Sequence, residues 1–211
     1  MDLIVERFDS PSQIEALRVG RGFTAIVESP EVAAMFRRVF AAGGNVTAAL
    51  VNGVLVGYAA DLPFVPVEWD GGRVLRRWES VPQARELGAV EVAAPFRNRG
   101  IARRLMDALA ADGRLEPYIV IGEALRWHWD LGSSGIDVWE YRRRLVRLLE
   151  SAGFHRFDTD APDVAEDPAN FLAVRIGTGT ATESQRALTQ ALFAGGHQFQ
   201  ISSTHSSVAS R

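Results

Sequence analysis

Residues 86–110, ELGAVEVAAPFRNRGIARRLMDALA, constrain the chain more than any other stretch. An apolar strand runs into an amphipathic helix through a short loop that carries Arg97, Arg99 and Gly100. The first N–H groups of a helix have no intrahelical partner, and the helix dipole adds positive potential there. A basic, glycine-containing loop at that place is a phosphate-binding device. The pattern predicts a strand–loop–helix unit opening its helix at Gly100, with Ile101, Leu105, Ala108 and Leu109 on the buried face and Arg103, Arg104 and Asp107 outward.

Composition bounds what can surround that unit. The chain has 211 residues, 47% of them hydrophobic, which suits one domain with a real core over residues 1–177 and a short appendage over 178–211. The formal net charge of −3 argues against nucleic acid as a partner held by bulk charge. There is no cysteine, so disulfides, thiolate metal sites and a cysteine acyl-enzyme are excluded. His128 and Asp130 stand two apart with no third ligand in view, so no metal site is expected. The first residues carry acids where a secretory signal carries bases, and no apolar run approaches the ~20 residues of a membrane span. A cytoplasmic protein without a membrane partner is expected.

The other elements follow from pattern. Residues 3–8 read as a strand, and Ser10-Pro11-Ser12 caps a brief helix reaching Leu17. Residues 23–27 read as a second short strand. Ser29-Pro30-Glu31 starts a helix, Ser29 as its cap, running to about Ala42 with Val32, Met35, Phe36 and Phe40 inward, until Gly43-Gly44 ends it. Residues 46–51 and 54–60 form a hairpin around Asn52-Gly53, the pair favoured in a type I′ turn. Residues 62–78 read as loop, with Pro63, Pro66 and Gly71-Gly72 and with Trp69 and Trp78 in or beside it. Asp112-Gly113 stops the phosphate-loop helix, and residues 118–122 form a buried strand, so strand–helix–strand makes a parallel crossover. Asp137 caps a long helix to about Ser151, with Trp139, Leu145, Leu148, Leu149 and Ala152 buried and Arg142, Arg143, Arg144 and Arg147 as a solvated face. Gly153-Phe154 ends it, residues 154–157 form a strand, 158–168 a polar loop and 171–176 the last strand. Residues 182–193 can form an amphipathic helix, and the Ser-rich residues 197–211 read as a mobile tail.

This order, with Arg97-Asn98-Arg99-Gly100-Ile101-Ala102 fitting the R/Q-x-x-G-x-G/A signature, resembles the GNAT acetyltransferases. The resemblance implies an α/β fold: a mixed, mostly antiparallel central sheet with one parallel crossover, flanked by helices. Residues 86–107, 118–131, 138–143 and 167–177, with Trp127-His128-Trp129-Asp130 and Val138-Trp139-Glu140-Tyr141-Arg142, are similar to the acetoin-utilisation branch of that family. That likeness covers residues 45–177. It implies an acetyl-CoA-dependent N-acetyltransferase acting on a lysine of an AMP-forming acetyl-CoA synthetase. Acetylation of a small amine, or a CoA-binding regulatory module without chemistry, are the other readings. All 23 basic residues are arginine, so an enzyme that acetylates lysine side chains cannot acetylate its own.

Acetyl transfer needs a held thioester, a donor for the developing oxyanion and a base for the ammonium. Backbone N–H groups of Arg99, Gly100, Ile101 and Ala102 are expected at the pyrophosphate of acetyl-CoA, with Arg97 adding charge; Ala102 stands where many relatives have glycine. The resemblance implies a splayed strand near Val92, whose N–H contacts the acetyl group. It also makes Glu86, eleven residues before Arg97, the base, unless it is an ordinary solvent-facing strand residue. Glu91 is the rival, on the opposite face of an unbroken strand but not of a bulged one. The tyrosine that many relatives place before Gly-Phe to protonate the thiolate is Leu149 here. Tyr141 and His128 are the substitutes. Trp127, His128 and Trp129 either contact substrate or pack the long helix.

Overall fold

In the computed structural model the chain runs β1 (Leu3–Phe8), α1 (Ser12–Glu15), β2 (Arg18–Val19), α2 (Val32–Ala41), β3 (Asn45–Val51), β4 (Val54–Pro63), β5 (Val67–Trp69), β6 (Gly72–Val74), β7 (Ala84–Val92), α3 (Ile101–Ala111), β8 (Ile119–Ala124), α4 (Leu131–Ser134), α5 (Val138–Glu150), β9 (His155–Phe157), α6 (Pro162–Ala165), β10 (Phe171–Ile176) and α7 (Thr182–Leu192). The structure describes residues 2–15, 17–64, 67–69, 72–74, 77–111 and 113–194. The expected tail over 197–211 lies outside them, as do Pro66, Gly71 and Asp112.

One mixed sheet has the order β1-β3-β4-β7-β8-β10-β9, with β5 and β6 a separate hairpin. Its pairs are antiparallel except β7 with β8 and a two-residue pairing of β2 with β4. The fold is the α/β arrangement that the sequence predicts. Asn52 (φ 50°) and Gly53 (φ 71°) turn the β3–β4 hairpin, the two left-handed residues that a type I′ turn requires.

Apolar side chains cover both sheet faces. One cluster lies under α3 and α5 and includes Val92, Ile101, Leu105, Met106, Leu149 and Phe154. A second lies under α2, around Phe23, Phe36, Leu55 and Tyr58. A third joins β8 and β10 to α6 and α7 through Trp78, Ile121, Leu172 and Leu188. α3 can lie directly on β4 because Gly57 lacks a side chain: a Cβ there would stand 3.2 Å from Leu105 Cδ1 and 3.3 Å from Ile101 Cγ2.

Several expectations are corrected. Residues 23–27 are not a strand, because the N–H groups of Thr24 and Ala25 donate to the Glu91 side chain instead of a ladder; the strand there is β2. Ser29 does not cap α2: its Oγ accepts from Phe23 N–H at 3.2 Å, and a 3₁₀ turn over Ser29–Glu31 leads into the helix. Val39 joins the buried residues of α2, while the expected Phe40 is half-buried against the same cluster. Residues 62–78 are not all loop, since β4 continues to Pro63, β5 and β6 pair, and a 3₁₀ turn over Arg77–Ser80 buries Trp78. Met106 replaces Ala108 on the buried face of α3. Trp139 is 48% exposed: two residues before Tyr141, it stands ~200° around the helix from that inward side chain. Arg142 leaves the solvated face to donate to the Ala169 carbonyl at 3.0 Å and cover the Phe171 ring.

Candidate active site

The parallel pairing of β7 with β8 joins Ala84 to Ile119, Arg85 to Val120 and Glu86 to Ile121, and then stops. β7 continues to Val92 and β8 to Ala124, so the strands part into a fork whose apex is Glu86. Leu87 fills the base of the fork, its Cβ 3.5 Å from where a side chain on Gly122 would begin. Alternate residues of a strand address the same neighbour. Ala93 N–H donates to Val56 of β4 at 2.9 Å, so the N–H of Val92 is directed the other way, into the fork.

Beyond the fork the chain turns through Arg97-Asn98-Arg99-Gly100 into α3. Asn98 (φ 59°) and Gly100 (φ 73°) are both left-handed, and a Cβ on Gly100 would meet nothing within 4 Å. The backbone at Gly100 is therefore open to a ligand's close approach. The first intrahelical bond runs from Arg104 N–H to the Gly100 carbonyl, which leaves the N–H groups of Ile101, Ala102 and Arg103 ahead of it.

The fork opens into a cleft of about 390 Å³. One wall comes from β7 and the start of α3, with Val90, Val92, Arg97, Asn98, Gly100, Ile101 and Ala102. The other comes from α4 and α5, with Ser133, Tyr141, Arg144, Leu145 and Leu148. Of the residues the sequence singles out, Val92, Arg97, Gly100, Ile101, Ala102 and Tyr141 meet here. Arg99, Glu86 and His128 do not line this cleft; the Arg99 guanidinium lies over the Phe96 ring, 5.6 Å from its centre.

Arg97 is held from three sides. Its Nε donates to the Val92 carbonyl at 2.9 Å, and its Nη1 donates to Asp130 Oδ2 at 2.6 Å and to Ser133 Oγ at 2.7 Å. Asp130 also accepts from Thr24 Oγ1 at 3.2 Å and from Ser133 N–H at 3.1 Å, capping α4. The Ser133 hydroxyl first, then Arg97, hold the Asp130 carboxyl well below the usual range. The aspartate thus ties the two walls and the residue 24 loop together.

β7 carries a bulge. Ala89 faces Ala60 and Leu87 faces Asp61, which leaves Gly88 without an opposite residue and returns Glu86 and Glu91 to the same face. Both point to the α2 side, away from the cleft. Glu91 is buried and fully occupied: Oε1 accepts from the N–H groups of Thr24 and Ala25 at 2.8 Å each, and Oε2 accepts from the Tyr58 hydroxyl at 2.7 Å. Glu86 is half-buried and borders a second, smaller cavity with Ile26, Met35, Leu62 and Ala89. Its carboxylate acts on the His128 imidazole: partial withdrawal from water lowers the His128 pKa, and Glu86 offsets part of that. Tyr141 stacks on Trp129, ring centres 5.2 Å apart and planes within 12°. Burial raises the Tyr141 phenol above its ordinary value. Leu149, at the place of the usual tyrosine, is buried in the core. Trp129 of the aromatic segment therefore packs the long helix, while Trp127 is 53% exposed.

Sequence reasoning did not single out Ser133, Leu145 and Arg144 as cleft residues. Leu145 read as core spacing and Arg144 as one of several outward arginines; Ser133 had no signal beyond a turn. Among the described residues no helix is long and apolar enough to cross a membrane, and no group of three His, Cys, Asp or Glu is placed to hold a metal ion.

Residues 18–125 match the acetyltransferase (GNAT) family. The acetoin utilization protein AcuA of Bacillus licheniformis is 34% identical to this chain over 142 residues, 67% of this chain and 64% of that protein. AcuA of Bacillus subtilis matches with the same identity and shares. The match thus spans a little under two thirds of the length of these relatives. The solved structure of an acetoin utilization protein from Exiguobacterium sibiricum superposes with a TM-score of 0.81 at 26% identity, over 92% of this chain and 96% of that one.

Proposed function

The chain belongs to the acetyltransferase (GNAT) family, and on that premise we propose that it is a cytoplasmic, acetyl-CoA-dependent N-acetyltransferase whose acceptor is a lysine of an AMP-forming acetyl-CoA synthetase. The observation that carries the reading is the fork: β7 and β8 separate after Glu86, and the cleft so opened leads to the free N–H groups at the start of α3.

Acetyl-CoA supplies an activated thioester. The N–H groups of Ile101 and Ala102, with the open backbone at Gly100, suit a pyrophosphate. The N–H of Val92 reaches into the fork where the thioester carbonyl gathers charge as the amine attacks. Glu86 takes the ammonium proton, through water, from the α2 side of the sheet. As the N–C bond forms and the C–S bond breaks, the Tyr141 phenol, protonated at neutral pH as any tyrosine is, gives its proton to the sulfur, and the phenolate takes back the second proton of the newly acylated nitrogen. The chain offers no cysteine for an acyl-enzyme, which supports direct transfer.

The choice of synthetase rests on the likeness to AcuA. A small amine is the second reading, favoured by the Glu86 carboxylate at a cavity of about 320 Å³ whose other walls are apolar apart from Arg38. The test incubates the protein and acetyl-CoA with a purified synthetase and, separately, with a panel of small amines. CoA release and acetyl-lysine are followed by mass spectrometry. Acetyl-lysine on the synthetase is expected. Release with a small amine alone moves the acceptor to the second reading. No release with any acceptor overturns the enzyme in favour of a CoA-binding module.

A further inference from the structure

Resting on the donor site just described, we propose that Arg144, not Arg97, supplies the side-chain cation that meets a phosphate of the donor. Among the described residues lining the cleft, these two carry the charged side chains. Arg97 is committed. Its Nε is on the Val92 carbonyl, its Nη1 is shared by Asp130 and Ser133, and its charge is matched by a carboxylate whose side chain is 14% exposed. Drawing Arg97 away would leave the largely covered Asp130 carboxylate without its cation, which is costly.

Arg144 is differently placed. It stands on α5, on the wall opposite the α3 N-terminus, with half of its side chain exposed. Its Nε meets Glu140 Oε1 at 2.7 Å. The same carboxylate also serves Arg143 at 2.9 Å and Arg147 at 3.8 Å. Three guanidiniums share one carboxylate, so this rim carries a surplus of two positive charges. An exposed ion pair is held weakly, and Glu140 keeps Arg143 if Arg144 turns away. The planar guanidinium fork then offers parallel N–H groups to a phosphate. A donor phosphate is gripped from two sides: uncharged N–H groups and helix dipole from α3, a cation from α5.

The test is calorimetric binding of CoA, dephospho-CoA and pantetheine to the wild type, Arg144→Gln and Arg147→Gln, with thermal melts checking that each variant folds. Arg144→Gln is expected to weaken CoA about fivefold while pantetheine binding is unchanged. Arg147→Gln, outside the cleft lining, binds CoA as the wild type does. A loss shared by dephospho-CoA supports a contact to the pyrophosphate, and a loss confined to CoA supports one to the ribose phosphate. CoA binding to Arg144→Gln at wild-type strength, or an equal loss of pantetheine, overturns the assignment to Arg144 while leaving the donor site standing. A wild type that does not bind CoA overturns the donor site and this inference with it.

Discussion

Tyr58 and Glu91 meet inside the sheet, the phenol donating to the carboxylate at 2.7 Å while the other carboxylate oxygen takes two backbone N–H groups of the loop after β2. Burial first and the carboxylate second push the Tyr58 pKa up, so the phenol stays a donor at every ordinary pH. Glu91 is therefore the anchor of residues 24 and 25, and the alternative of Glu91 as base gives way to an architectural role. Glu91→Ala strands three donors in or near the core. A loss of about 3 kcal/mol in urea unfolding is expected, with faster amide exchange at Thr24 and Ala25. A loss below ~1 kcal/mol contradicts this role.

Glu86→Gln removes the proposed base without disturbing that anchor. Turnover should fall about a hundredfold at neutral pH, with CoA binding intact. The deficit should shrink as pH rises, because the acceptor amine then loses its proton unaided. A pH–rate profile that superimposes on the wild type removes Glu86 from the mechanism.

Gly100→Ala tests the open backbone. The added methyl meets no atom within 4 Å, so its cost to folding is that of a left-handed φ of 73°, about 1 kcal/mol. CoA affinity should fall further than stability does, since the methyl occupies the side on which the phosphate approaches. Equal CoA affinity in a folded Gly100→Ala protein contradicts a pyrophosphate at that position.

Glu116 gives the fold an acid-sensitive joint. Its carboxylate accepts from Thr178 N–H at 2.8 Å and pairs with Arg175, and the pKa is lowered to about 2, the Thr178 backbone bond being the largest cause. A depressed carboxylate stabilises the fold above its unfolded pKa and loses that contribution as pH falls through the folded one. The pH-dependent gap between the wild type and Glu116→Gln should be full above about pH 5 and close as pH falls toward 2. A gap independent of pH across that window contradicts the linkage.

What could be read in the chain follows the range of the causes. The β3–β4 hairpin, the 97–100 turn, the Asp137 cap and the last strand are set by neighbours a few residues apart, and all appear where the pattern puts them. The Asp137 carboxylate accepts from the N–H groups of Trp139 and Glu140. Residues 23–27 look like a strand because their side chains are apolar, but their donors are claimed by Glu91, 67 positions away from Thr24. Arg97 looks free because its partner, Asp130, comes from beyond β8. The shared face of Glu86 and Glu91 depends on the register of β4, which no local pattern encodes. Arg144 differs from its neighbouring arginines only by the direction in which α5 is rotated.

The most direct test of the donor site is amide hydrogen exchange with and without CoA. Protection should rise at Gly100, Ile101, Ala102 and Arg103 and at Val92, while Ile26 and Leu62, beside Glu86 on the other face of the sheet, stay unchanged. Protection that appears on the Glu86 side and leaves residues 100–103 exchanging as before would contradict a donor held between β7, β8 and the start of α3.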